Sequence, residues 1–128
     1  MVTNADGWTF SDAWVFTAVA ITGVEGCDLP HLIGVADAIN HAILTADEIA
    51  QAVGRFVASG LLRHEHSWFQ LTEDGAALAA RRKGGLFGQV SSVEKLLARQ
   101  PLTEGRWDVS QEVVHVAFKT YSDGLRAR

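Results

Sequence analysis

Apolar positions recur along the first sixty residues with the period of a helix, and then switch to the alternation of strands. Ser11 is the expected N-cap of a first helix. Asp12 complements its dipole, and Phe10 with Val15 has the spacing of a hydrophobic staple. Trp14, Val15, Phe16, Ala18, Val19 and Ile21 follow before Gly23 stops the helix. They leave almost no polar face, so this helix is wrapped by others or by a second subunit. A second helix starts after Asp28, tolerates Pro30 in its first turn and ends at Asn40, with Leu29, Leu32, Ile33, Ala36 and Ile39 at helical spacing. A third opens at Thr45, where Glu48 completes a capping box. It buries Ile49, Val53, Phe56 and Val57, and stops at Gly60.

Two short strands come next, Leu61 to His64 and Trp68 to Leu71, around Glu65–Ser67. Thr72 caps an Ala-rich fourth helix that ends in Arg81, Arg82, Lys83 and the Gly84–Gly85 pair. Ser91 and Glu94 form a capping box for a fifth helix running to Gln100 before Pro101. The last helix starts near Ser110, carries Val113, Val114, Ala117, Phe118 and Tyr121, and ends near Gly124.

The order of three helices running into a hairpin resembles a winged helix-turn-helix. Thr45 to Leu62 resembles the third helix of that superfamily, ending in the step Phe56-Val-Ala-Ser-Gly-Leu-Leu62. The exit Phe69-Gln-Leu-Thr-Glu-Asp-Gly75 is similar to the segment that follows the wing in MarR-like and PadR-like regulators. The resemblance covers about residues 11–80 and implies a mostly α (α+β) fold with a short two-stranded wing and extra C-terminal helices. On this reading residues 1–83 form the winged helix. Residues 84–128 are a helical extension that packs on it, or forms a dimer interface, within a single structural unit. The resemblance also implies double-stranded DNA as partner, with the third helix in the major groove and the wing on the flanking backbone. The matching positions are Thr45, Asp47, Glu48, Gln51 and Arg55 on the helix, and Arg63, His64 and His66 in the wing.

Charge opposes that role. The net charge is −4, and residues 1–62 hold seven acids against Arg55 alone, giving −6, while residues 63–128 sum to +2. DNA readers draw much of their affinity from Lys and Arg on phosphates. This third helix offers one Arg, and two acids in its first turn. Gln51 suits adenine and Arg55 suits guanine, but every surface helix also has a polar face. The resemblance makes a non-enzymatic, DNA-binding regulator of transcription the leading expectation, with a winged helix that binds protein and no nucleic acid as the alternative that the charge favours.

Other chemistry is thin. Arg81-Arg82-Lys83 reads as a basic last turn facing a helix C-terminus, and Lys95 with Arg99 as a solvated face diluted by Glu94. His64 and His66 alternate, so on a strand they share a side, yet zinc wants three or four ligands. Cys27, the one cysteine, precedes the second helix with His31 four residues on, but no second thiol and no Asn or Asp spaced to orient His31 follow, so it reads as a buried small residue. Trp68, leaving the wing tip, should turn its ring outward, where an exposed tryptophan marks partner contact. No phosphate loop, carboxylate pair or nucleophile motif appears, so no enzyme, no metal and no cofactor is expected. The first Lys or Arg is Arg55 and no apolar run is long enough to span a bilayer, so a cytoplasmic protein without membrane contact is expected. The apolar first and last helices suggest a homodimer.

Overall fold

The most apolar segment of the sequence becomes the centre of the molecule. In the computed structural model, which describes residues 7–86 and 88–126 (backbone only at 125 and 126), α1 (Phe10–Thr22) is packed by α2 (Leu29–Asn40), α3 (Ala46–Ala58) and α5 (Gln89–Leu97). Ala13, Val15, Phe16, Ala18 and Val19 are all buried. Helices of the same chain cover α1, so its missing polar face calls for no second subunit.

The cap of α1 is Thr9 rather than Ser11. Thr9 Oγ1 accepts from the Asp12 backbone N–H at 3.1 Å and the Asp12 carboxylate accepts from the Thr9 N–H at 2.9 Å. Thr9 sits three residues before a carboxylate and can close this reciprocal box. The Ser11 hydroxyl donates instead to Glu48 on α3. The next two helices start as the sequence predicts. Asp28 accepts from the His31 N–H at 2.9 Å, and Thr45 with Glu48 forms the capping box. The apolar link between α2 and α3 is explained by Leu44, which is buried in the core.

Among the described residues the sheet has three strands, one more than expected: β1 (Cys27–Asp28), β2 (Leu62–Glu65) and β3 (Trp68–Leu71), antiparallel in the order β1-β3-β2. Two residues are too few to show an alternation, which is why β1 leaves no signature in sequence. The hairpin turn is His66–Ser67, with φ of 50° and 64°, the handedness that a two-residue connection requires. His66 therefore lies in the turn and shares no strand face with His64.

After α4 (Glu73–Ala79), α5 begins at Gln89 with Gly88 as its cap residue, not at Ser91. The Ser91–Glu94 box does not form, because backbone bonds from Gly88 and Gln89 to the Gly85 carbonyl already turn the chain into the helix. The last helix, α6 (Gln111–Arg126), lies on α2. Tyr121 closes over Gly34, where any Cβ would strike its ring, and its hydroxyl donates to Asp37 at 3.2 Å. The fold is α+β, mostly helical, with one small antiparallel sheet. Among the described residues no helix is long and apolar enough to cross a membrane.

Candidate functional site

The third helix and the hairpin carry the residues that the sequence marks for recognition, and the structure separates them. Arg55 is the clearest correction. Its side chain is only 4% exposed, and Nη1 donates to Asp12 Oδ2 at 2.8 Å and to the Gly7 carbonyl at 3.0 Å. Nε and Nη2 form a fork on Glu104 at 2.9 and 2.8 Å. Hydrogen bonds to Glu104 hold the guanidinium in its charged form against the desolvation of its burial, and Asp12 adds to the effect. Arg55 cannot reach a guanine. It ties α1, α3 and the segment before α6 together.

That segment, residues 103–109, is an irregular strap lying along α3. Gly54 of α3 and the strap's Gly105 cross so closely that a Cβ on either would collide with the other's backbone. The Trp107 N–H donates to the Ala50 carbonyl at 3.0 Å, and the Ser59 hydroxyl accepts from the Thr103 N–H at 2.9 Å. Arg106 pairs with Asp47 at 2.7 Å. The strap thus occupies much of the polar face that would enter a major groove. Glu48 is turned to Thr45 and Ser11, and the Thr45 hydroxyl is engaged by the Glu48 N–H. Gln51 is half-buried. What α3 leaves open is Asp47, Val57 and Ala58, with no base among them.

The hairpin divides in the same way. Arg63, His66 and Trp68 are exposed. His64 is half-buried, stacked on Phe69 with centroids 4.5 Å apart and meeting Trp107 edge-on at 4.4 Å. Burial lowers its pKa below the ordinary histidine value. Its Nε2 is buried, and among the described residues it has no hydrogen-bond partner. His64 belongs to the packing that fixes the strap, not to a contact surface. The Trp68 ring is 46% exposed, as the alternation predicts, and its Nε1–H donates to the Glu25 carbonyl at 2.7 Å. The indole is therefore tethered at its N–H while about half of the residue is open to solvent.

Cys27 is fully buried, and burial pushes its thiol up to about 11, away from the reactive thiolate. Among the described residues no three His, Cys, Asp or Glu side chains stand close enough to hold a metal ion. The signal that could have located the buried network was present in sequence: Asp12 and Arg55 are the charges set among the most apolar stretches. Nothing local ties either of them to Glu104, which is 49 residues from Arg55. Comparison with protein-family models, with curated proteins and with solved structures finds no match to this chain.

Proposed function

We propose that this chain is a non-enzymatic protein-interaction module with a winged-helix-like order of elements, rather than a major-groove reader. One observation carries the reading. The strap 103–109 lies on the face of α3 that would have to enter DNA, and Arg55, the only base of that helix, is consumed inside the fold. A second support is the exposed, hydrogen-bonded Trp68, next to Phe69 on β3, since rigid tryptophans are common anchors of protein contacts. The run from α2 and α3 into the β2–β3 hairpin is what favours the winged-helix comparison itself.

DNA-dependent regulation is the second reading, favoured by the exposed Arg63 and His66 on the hairpin. Fluorescence anisotropy with a random-sequence duplex pool over a salt series separates the two. The interaction module predicts no sequence-selective binding, and no difference between wild type and Gln51→Ala or Thr45→Ala. Selective binding that either substitution relaxes would restore the DNA reader.

A further inference from the structure

The run Arg81-Arg82-Lys83 reads in sequence as a helix ending, and Lys95 with Arg99 as a separate solvated face. The fold brings all five to one groove of about 750 Å³ between the end of α4 and α5. Among the described residues the lining holds no carboxylate, and Glu94 stands outside it. Arg82 is fixed in place, with Nε donating to Gln89 Oε1 at 2.7 Å and Nη1 to the Ala79 carbonyl at 2.9 Å. The complementarity of a cation and a helix C-terminus accounts for Arg82. It leaves the other four unexplained: Arg81, Lys83, Lys95 and Arg99 are exposed, and their side chains make no ion pair or hydrogen bond among the described residues. Like charges gathered in a concave site repel one another and focus a positive potential outward. In a chain with a net charge of −4 this concentration is local, and it lies in the half that sums to +2.

We infer that this groove is a docking site for a short acidic peptide segment of a protein partner. The inference rests on the interaction-module reading and specifies the partner's chemistry. The two exposed guanidiniums, Arg81 and Arg99, suit carboxylates through forked hydrogen bonds. Ala80 and Leu96 add an apolar lining that would receive an apolar side chain between the acids. A nucleic acid fits less well. Among the described residues no aromatic side chain lines the groove for bases to stack on.

The test is selection from a random twelve-residue peptide display library against the whole protein. Recovered peptides are synthesised with a fluorophore and titrated beside a labelled random-sequence duplex. Wild type should enrich peptides rich in Asp and Glu around one or two apolar residues. Arg81→Gln/Arg99→Gln, both at exposed positions, should weaken them by about tenfold or more while the thermal melt stays unchanged. Added salt should weaken them as well. The groove assignment is overturned if no acidic peptides are enriched, or if the double variant binds them as wild type does. If the variant binds equally but Trp68→Ala abolishes binding, the module reading stands and only the groove fails. Tighter binding of the duplex than of any peptide at physiological salt would overturn the acidic-peptide assignment in favour of nucleic acid. Sequence-selective duplex binding that depends on Gln51 would overturn the module reading instead.

Discussion

Arg55 and His64 show how a side chain's surroundings decide its role. Arg55 looks like a recognition residue because it follows Gln51 on the polar face of an amphipathic helix. Its partners Asp12 and Glu104 lie 43 and 49 residues away in sequence, beyond any local pattern. Arg55→Ala strands the carboxylate of Asp12, which is fully buried and has one oxygen without a partner among the described residues. It should cost about 3–5 kcal/mol in urea unfolding, the scale of breaking one side of a buried pair. Glu104→Ala removes a carboxylate that is 63% exposed and should cost about 1 kcal/mol or less. Comparable losses for both would refute this division. His64 makes stability depend on pH. Burial favours its neutral form in the fold, so the unfolded chain binds the proton more readily. Stability should be full above the ordinary histidine value of about 6.5 and fall as pH drops through it toward the lower folded value. Urea midpoints on either side of that value should show this slope, and His64→Phe should flatten it. Cys27, raised to about 11, should resist thiol reagents at neutral pH in the native protein and react on unfolding.

At the scale of elements, what could be read from sequence was what is local. The starts of α2 and α3, the hairpin and the Thr72 cap follow from caps and periodicity within a few residues. β1 was hidden because its two residues are defined by their pairing with Phe69 and Trp68. The strap was hidden because it has no periodicity, and because its place is set by tertiary fit to α3. One mark of it was visible, a glycine in the middle of an otherwise good helix. Gly54→Ala adds helix propensity but drives a methyl into the backbone of Arg106. We expect a net loss of about 1–3 kcal/mol, with a change in tryptophan fluorescence as Trp107 leaves His64 and Phe69. A more stable variant would mean that the crossing is looser than it stands here. The candidate site was legible only in part. Trp68 could be placed by alternation, whereas the basic groove joins two stretches of sequence that each read as unremarkable.

For the whole molecule, the surface left to other proteins is smaller than the apolar composition suggests. The burial of most of α1 within its own chain leaves Phe10 at its start, 43% exposed, and Val113 and Val116 on α6, 48% and 56% exposed, as the apolar remainder of the case for a homodimer. Self-association through α6 should accordingly be weak. Light scattering should give 13.8 kDa at low concentration and rise only when the protein is concentrated, and Val116→Asp should hold it at the lower mass. A stable dimer insensitive to that substitution would place the interface elsewhere. The strap also imposes an order on the birth of the fold. As the chain leaves the ribosome, α1, α2, α3 and the hairpin emerge while Gly54 still lacks its strap, and Arg55 has only Asp12 and the Gly7 carbonyl as partners. Glu104, Gly105 and Trp107 arrive about fifty residues after α3. Until then the face of α3 around Ala50 and Gly54 lacks the cover that the strap gives it in the finished fold.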